Sequence, residues 1–167
     1  MLGKTSSAAV ADFALPATGG TTFRLSEAFA EPAGGRGKSA VVTRVVLYFY
    51  PKDNTPGCTA EGLQFHELHE QFRKAGCAVY GISRDSLKSH ENFKTKMAFP
   101  FELLSDEDEK VCSLFAVIKM KNMYGKQVRG IERSTFVLDS SRAIIREWRG
   151  IKVPGHVQEV LDFVKAL

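Results

Sequence analysis

Blocks of apolar and polar residues alternate along the chain at spacings that distinguish strands from helices. Residues 45–50 form a β-branched and aromatic block of strand length, and Pro51 ends it because proline cannot continue a central strand. Apolar residues then recur at helical spacing and predict a helix over residues 59–74. The following patterns predict a strand at 78–82, a helix at 86–97 and a short strand at 102–104. Strands that alternate with helices in this way predict an α/β fold built on a parallel sheet.

The two ends of the chain carry patterns of a different kind. Residues 11–25 predict an extended segment and a short hairpin, with Gly19-Gly20 as its turn. Ser26 is predicted to cap the brief helical turn that follows. Near the C-terminus the pattern predicts strands at 135–138 and 143–148, joined as a hairpin, and a helix at 154–164.

A third internal helix is predicted after residues 105–108, a serine followed by three acidic residues that resemble a capping start. It would hold Val111, Leu114 and Phe115 on its apolar face. Acidic residues at this end of a helix complement the helix dipole. We therefore interpret residues 105–108 as a solvated first turn without a ligand role.

Length and composition favour one domain. The chain has 167 residues, of which 44% are apolar, and its composition does not shift along the sequence. The predicted domain spans residues 1–167, with residues 1–11 flexible. The glycine-rich residues 31–38 are predicted to form a surface loop.

Charge and cysteine content exclude several classes of protein. The formal net charge is +4, and the basic residues are scattered among acidic ones, which argues against nucleic acid as a partner. No apolar run reaches the roughly 18 residues of a membrane span, and the first residues lack the apolar core of a secretory signal. Three widely spaced cysteines fit a reducing compartment better than a disulfide scaffold. We expect a cytoplasmic protein.

Cys58 is the residue with the clearest chemical potential. It follows the first central strand through a turn bounded by Pro51 and Pro56, and it stands at the predicted start of a helix. Free backbone N–H groups at a helix start favour a thiolate over a thiol. Thr55 can point its hydroxyl into the same turn, and Pro51 fixes the backbone there.

The residues around Cys58 resemble the signature of the peroxiredoxins, Pro-x-x-x-Thr-x-x-Cys. Residues 49–61 read FYPKDNTPGCTAE and are similar to the bacterioferritin comigratory protein branch, also called peroxiredoxin Q. The segments NMYG at 122–125 and GIERSTFVLD at 130–139 are similar to the same branch. The resemblance implies a thioredoxin-like fold with an N-terminal hairpin and mid-chain additions. It also implies a thiol-dependent peroxidase that reduces hydrogen peroxide and organic hydroperoxides without a cofactor or a metal.

The resemblance assigns expected roles to five residues. Cys58 is the expected nucleophile and becomes a sulfenic acid. Arg133 is expected beside Cys58, where its guanidinium stabilises the thiolate and polarises the peroxide. Thr55 would hold a peroxide oxygen, and Pro51 would limit access of water. Glu61 would orient Arg133, although an acid near a helix start is also stable without that role.

The route back from the sulfenic acid is left open by the sequence. Many members of the branch carry a second, resolving cysteine five positions after the nucleophile, and Leu63 occupies that position here. Cys77 and Cys112 are interpreted first as buried apolar residues. A one-cysteine cycle is therefore favoured, completed by thioredoxin, glutaredoxin, glutathione or another thiol donor. The alternative is a two-cysteine cycle in which Cys112 or Cys77 resolves Cys58.

Two other functions compete with a peroxidase. A thioredoxin-type disulfide reductase needs two cysteines separated by two residues, and the sequence has no such pair. A non-enzymatic peroxide sensor or partner-binding module would oxidise Cys58 mainly to change shape, and it would consume about one equivalent of peroxide instead of many. The resemblance to the peroxiredoxin Q branch also implies that this protein is a monomer.

Two further groups of residues are interpreted as structural and not as binding sites. His66 and His69 have a spacing that could hold a metal, but they lack a matching set of ligands and are predicted to lie on a solvated helix face. Residues 119–126 could suggest anion binding. The resemblance instead implies that they form the loop and strand before Arg133, with Met123 and Tyr124 packed near the pocket.

Overall fold

The computed structural model describes residues 8–29 and 41–167. The surface loop predicted at 31–38 and most of the flexible segment predicted at 1–11 lie outside the described residues. Among the helices that are described, none combines the length and the apolar character that a bilayer crossing requires.

The described residues form nine strands, four α-helices and one short 3-10 helix. The strands are β1 (Ala14–Ala17), β2 (Thr21–Arg24), β3 (Arg44–Phe49), β4 (Cys77–Ser83), β5 (Leu103–Ser105), β6 (Ile118–Met123), β7 (Lys126–Ile131), β8 (Ser134–Asp139) and β9 (Ile144–Arg149). The helices are α1 (Pro56–Lys74), α2 (Leu87–Met97), α3 (Lys110–Leu114) and α4 (His156–Lys165), and the 3-10 helix is Leu25–Glu27. Every element predicted from the pattern within these residues is present.

Seven strands form one twisted sheet in the order β2-β1-β5-β4-β3-β8-β9. The central strands β3, β4 and β5 are parallel, as the alternation of strands and helices predicted. The outer strands are antiparallel, so the sheet is mixed and not wholly parallel. Arg44 pairs with Cys77 at one end of β3 and Phe49 pairs with Ile82 at the other. The α/β thioredoxin-like fold with an N-terminal hairpin is confirmed.

The side chains of β3 alternate between two apolar cores, one on each face of the sheet. Val45, Leu47 and Phe49 belong to one core, which includes apolar residues of β1, β2 and α3. Val46 and Tyr48 belong to the other, which α1, α2 and α4 cover. This alternation follows from the two-residue period of a strand. The chain leaves the end of β3 on its way to α1, so the segment that carries Cys58 starts on the second face.

Several local predictions were wrong in detail. The 3-10 helix begins after Arg24, and Ser26 lies inside it, where its N–H and hydroxyl both donate to the Asp12 carboxylate. Asp106 is buried and not solvated, because its two carboxylate oxygens accept from the backbone N–H groups of Val111 and Cys112. Leu114 is 44% exposed and faces away from the core.

A two-stranded hairpin, β6 and β7, stands apart from the main sheet. Its turn is Tyr124-Gly125, and both residues have positive φ, 52° and 80°. Such angles suit a two-residue hairpin turn, and glycine adopts them with little steric strain. Tyr124 is fully exposed and Met123 is 48% exposed, so the prediction that they pack near the pocket is wrong. The hairpin is the mid-chain addition, and its second strand leads directly to Arg133.

Candidate active site

The segment from Pro51 to Thr55 connects the end of β3 to the start of α1. Thr55 is the extended residue that precedes the helix, and Pro56 is the first helical residue. Proline suits that position because its missing N–H would have no helical partner there. Cys58 is consequently the third residue of α1, and the helix begins three residues earlier than the predicted 59. The N–H groups of Gly57 and Cys58 lie in this first turn, before intrahelical bonding begins.

Cys58 and Arg133 are in contact. Cys58 is 2% exposed, and Arg133 Nη2 donates to Cys58 Sγ across 3.5 Å. Arg133 lies between β7 and β8, and its side chain is 16% exposed. A Cβ atom at Gly57 would lie 3.0 Å from Arg133 Nη2. The absence of a side chain at position 57 therefore lets the guanidinium approach the sulfur closely.

Glu61 holds the other side of the guanidinium. Arg133 Nη1 donates to Glu61 Oε1 at 2.7 Å, and the Glu61 side chain is fully buried. Burial raises the pKa of Glu61 to about 7, although the positive charge of Arg133 acts to lower it. Burial also acts to lower the pKa of Arg133, but the negative charges of Glu61 and Cys58 outweigh this and raise it. The guanidinium therefore stays charged in its position between Glu61 and Cys58.

The second Glu61 oxygen has a different environment. Oε2 is buried and has no hydrogen-bond partner among the described residues. An unsatisfied buried oxygen is costly and consistent with a carboxyl group that takes up a proton near neutral pH. Glu61 is thus a buried acid one helical turn after Cys58.

Thr55 and Pro51 lie in the same connecting segment as Cys58. The Thr55 hydroxyl donates to the Lys52 carbonyl at 2.8 Å, which closes the turn as the sequence suggested. Both Thr55 and Pro51 are half-buried. The structure thus brings Cys58, Arg133 and Glu61 into direct contact and places Thr55 and Pro51 in the adjoining turn.

The other two cysteines lie in different parts of the fold. Cys77 pairs with Arg44, at the opposite end of β3 from the segment that leads to Cys58, a separation of about 16 Å along the strand. Cys112 lies within α3, in the core on the other face of the sheet. Burial raises the pKa of Cys77 to about 12, and burial together with the Asp106 carboxylate raises the pKa of Cys112. All three cysteines are free thiols, and neither Cys77 nor Cys112 resembles a reactive one.

A buried polar network beside the site was missed by the sequence reasoning. His90 is fully buried in α2, and its Nδ1 lies 2.7 Å from Asp53 Oδ2. Tyr50 and Ser89 donate their hydroxyls to the same carboxylate, each at 2.7 Å. The available signal was a histidine three residues before the core residue Phe93, on the apolar face of a predicted helix, together with an acid inside the signature turn.

Two sets of residues have side chains of the types that bind metals. Asp53, Asp85 and His90 bring ligand atoms within 4.8 Å of one another, but His90 and Asp53 already bond each other directly. His66 and His69 are half-buried and not fully solvated. The His69 ring packs against Phe101, and burial lowers its pKa. These contacts favour structural roles for both sets.

Comparisons with known proteins agree with this geometry. Residues 7–147 match the AhpC/TSA family. Peroxiredoxin Bcp from Xanthomonas campestris is 57% identical over 122 residues, which cover 73% of this chain and 76% of that protein. Peroxiredoxin Bcp from Bacillus subtilis is 47% identical over 121 residues, which cover 72% and 77%.

Solved structures of similar proteins also superpose on this chain. Peroxiredoxin Q from Xanthomonas campestris superposes with a TM-score of 0.81 at 49% identity, covering 92% of this chain and 90% of that chain. Peroxidoxin BcpB from Mycobacterium tuberculosis superposes with a TM-score of 0.80 at 31% identity, covering 96% of each. The matched residues include both Cys58 and Arg133. The chain therefore belongs to the AhpC/TSA family, as a peroxiredoxin of the Bcp or peroxiredoxin Q branch, and is a thiol-dependent peroxidase.

Proposed function

We propose that Cys58 is the nucleophile that reduces hydrogen peroxide and organic hydroperoxides, in a one-cysteine cycle completed by an external thiol. The observation that supports this most directly is the contact of Arg133 Nη2 with Cys58 Sγ at 3.5 Å, with Glu61 Oε1 at 2.7 Å from the same guanidinium. A cation fixed beside a sulfur at a helix start favours the thiolate, which is the reactive form.

In the first step the Cys58 thiolate attacks one oxygen of the hydroperoxide. An S–O bond forms and the O–O bond breaks, so that the sulfur is oxidised to a sulfenic acid and the peroxide is reduced. The leaving oxygen departs as hydroxide or alkoxide and takes a proton to become water or an alcohol. Arg133 stabilises the negative charge as it moves from the sulfur to the leaving oxygen.

The connecting turn supplies the remaining groups. The Thr55 hydroxyl and the backbone N–H groups of Gly57 and Cys58 would hold the peroxide oxygens in line with the sulfur. Pro51 would shield the site from water. Glu61 accepts a hydrogen bond from Arg133 Nη1, and this contact keeps Arg133 Nη2 directed at the Cys58 sulfur.

The sulfenic acid is returned to a thiol in two exchanges. A first donor thiol forms a mixed disulfide with Cys58 and releases water, and a second thiol then releases Cys58 as a thiol and leaves the donor as a disulfide. Thioredoxin, glutaredoxin, glutathione or another thiol could act as donor. The separation of Cys77 and Cys112 from Cys58 supports an external donor, because a disulfide requires Cα atoms within roughly 7 Å. We further propose that the protein acts as a cytoplasmic monomer.

A two-cysteine cycle is the second candidate. Two solved structures of the Xanthomonas campestris protein carry serine at two different cysteines. For Cys112 to resolve Cys58 in this chain, at least one of the two residues would have to leave its buried position. The non-enzymatic peroxide sensor considered from the sequence is set aside, because the chain belongs to a family of thiol-dependent peroxidases.

Peptide mapping after one equivalent of hydrogen peroxide tests the proposal. We expect oxidation on Cys58 alone and no peptide joined to Cys77 or Cys112. Cys58→Ser should remain folded and lose peroxide consumption, since a serine hydroxyl is not ionised near neutral pH. Turnover retained by Cys58→Ser would place the nucleophile elsewhere, and a cross-linked peptide would replace the one-cysteine cycle.

A further inference from the structure

We propose that Asp53 and His90 form a buried hydrogen-bonded pair that positions the segment from Pro51 to Thr55 for peroxide attack, so that both act as positioning residues for Cys58. The inference rests on the proposed role of Cys58. It assigns a function in the reaction to α2, a helix that does not itself carry Cys58, Arg133 or Glu61.

Both ring nitrogens of His90 have a hydrogen-bond partner. Nε2 lies 2.9 Å from the Leu104 carbonyl oxygen, which can only accept. Nδ1 lies 2.7 Å from Asp53 Oδ2. Burial acts to raise the pKa of Asp53, but its bonds with His90, Tyr50 and Ser89 outweigh this and lower it, so the facing oxygen is also an acceptor. Both ring nitrogens of His90 are therefore engaged, and the ring is fixed between Asp53 and the Leu104 carbonyl.

The Asp53 carboxylate is fully satisfied. Oδ1 accepts the Tyr50 hydroxyl at 2.7 Å, and Oδ2 accepts the Ser89 hydroxyl at 2.7 Å in addition to His90. Its donors come from the end of β3 and from α2. A buried charge with this many partners fixes one arrangement, whereas removal of a single partner leaves an uncompensated charge.

The backbone of the same residue is anchored to a second place. The Asp53 N–H donates to Asp85 Oδ2 at 2.9 Å. Asp85 is itself held by two serines: the Ser83 hydroxyl donates to its carboxylate at 2.5 Å, and the Ser105 hydroxyl donates to its backbone carbonyl at 2.6 Å. The following residue, Asn54, has a φ of 62°. A non-glycine residue in this region persists when its surroundings hold it there.

These anchors act on the reacting groups through short covalent links. Asp53 is two residues before Thr55 and five before Cys58, and the Thr55 hydroxyl bonds back to the Lys52 carbonyl. Rotation of the segment would therefore shift the Thr55 hydroxyl and the first N–H groups of α1 relative to Arg133, which is held independently by Glu61. A misplacement of about 1 Å at a reacting centre can cost about 100-fold in rate.

The experiment separates attack on peroxide from reduction by thiol. The second-order rate constant of Cys58 with hydrogen peroxide and the rate of reduction of the oxidised protein by dithiothreitol are measured for Asp53→Asn, His90→Gln and the double variant. We expect each single variant to lower the peroxide rate constant by about 10- to 100-fold and to change the dithiothreitol step by less than about threefold. The double variant should lose little more than the worse single variant, because the two residues act as one unit.

Asp139→Asn is the matched control. It weakens a carboxylate that also satisfies two backbone N–H groups, those of Ser141 and Ala143, but it does so at the end of β8 that pairs with Arg44, opposite the end of β3 that leads to Pro51. It should lower the melting temperature and leave the peroxide rate constant unchanged. His90→Gln, which keeps a donor, should retain more activity than His90→Leu.

Three outcomes decide between explanations. Peroxide rate constants that stay at the wild-type value in folded Asp53→Asn and His90→Gln, with only a lower melting temperature, would overturn the positioning role. If these variants do not fold, Tyr50→Phe and Ser89→Ala each remove one donor to Asp53, and unchanged peroxide rates in both would overturn it equally. Activity retained by Cys58→Ser in the same assay would instead reject the proposed function, so the two failures are distinguishable.

Discussion

Arg133 donates to the Cys58 sulfur across 3.5 Å although 75 residues separate them in the chain. The pairing exists because β3 and β8 are neighbours in the sheet, with Phe49 opposite Ser134. The segment that carries Cys58 leaves β3 just after Phe49, and Arg133 directly precedes Ser134. Two elements far apart in sequence thus deliver a thiol and a guanidinium to the same end of one strand pair.

Replacement of Arg133 should therefore impair attack on peroxide more than folding. We expect Arg133→Ala to lower the second-order rate constant with hydrogen peroxide by about 100- to 1,000-fold, the range found for loss of one group that stabilises transition-state charge. Arg133→Lys should recover only part of this, because lysine cannot bond Glu61 and the sulfur in the same fork. Arg24→Lys, at an exposed arginine paired with Asp12, is the control and should keep the wild-type rate. Wild-type rates in Arg133→Ala would remove the guanidinium from the mechanism.

Glu61 should make the stability of the protein depend on pH. Its pKa is raised from 4.5 to about 7 by burial, so the folded protein holds this proton more tightly than the unfolded chain does. The associated stability is fully present below pH 4.5 and is lost as the pH rises to about 7. A pKa shift of this size corresponds to a change in the free energy of unfolding on the order of 3 kcal/mol.

Glu61→Gln removes this titration, so a comparison of the variant with the wild type isolates the contribution of Glu61 to the pH dependence of stability. The difference in the free energy of unfolding between Glu61→Gln and the wild type should move in favour of the variant as the pH is raised from 4.5 to 7.5, measured by urea denaturation at each pH. Glu67→Gln, at an exposed position of the same helix, should show no such trend. A flat difference for Glu61→Gln would mean that the buried carboxylate keeps an ordinary pKa. We also expect Glu61→Gln to lower the peroxide rate constant by about tenfold, since Arg133 loses its charged partner.

Much of this site was accessible from the sequence because its parts obey local rules. The helix start at Cys58 follows from a strand-forming block, two prolines and a helical period, each of which acts over a few residues. Arg133 could be assigned only through the resemblance, since no local rule places residue 133 beside residue 58. The 3.5 Å contact depends on strand pairing, which single-sequence patterns do not specify.

The residues that were missed or misassigned share a physical cause. Asp53 and Asp106 are short acids in polar segments, where solvent exposure is the ordinary expectation, but tertiary partners from other elements satisfy and bury them. Tyr124 and Met123 were expected to pack near the pocket because of the family resemblance, and instead they are exposed at the end of the β6–β7 hairpin. In each case the deciding contact, or its absence, is long-range.

The Thr55 hydroxyl should be separable from the Thr55 methyl group. Thr55→Val keeps the shape and removes the hydroxyl that donates to Lys52, and it should lower the peroxide rate constant by about tenfold or more. Thr55→Ser keeps the hydroxyl and should stay within about threefold of the wild type. Thr95→Val, at an exposed position on α2, serves as the control. Equal rates in Thr55→Val and Thr55→Ser would exclude a role for the hydroxyl.

The one-cysteine cycle makes a sharp prediction for a chain that retains Cys58 alone. Cys77→Ala/Cys112→Ala should turn over hydrogen peroxide with dithiothreitol or thioredoxin at a rate within about twofold of the wild type. Cys112 lies in the core on the other face of the sheet, and Cys77 pairs with Arg44 at the end of β3 opposite the segment that leads to Cys58. Alanine is preferred to serine here, since a hydroxyl at these buried positions would add an unsatisfied group. Mass spectrometry of the oxidised wild-type protein should show added oxygen on Cys58 and no loss of two hydrogens. If the double variant lost turnover with thioredoxin but kept the first reaction with peroxide, one of the two cysteines would be the resolving residue, and single variants would identify which.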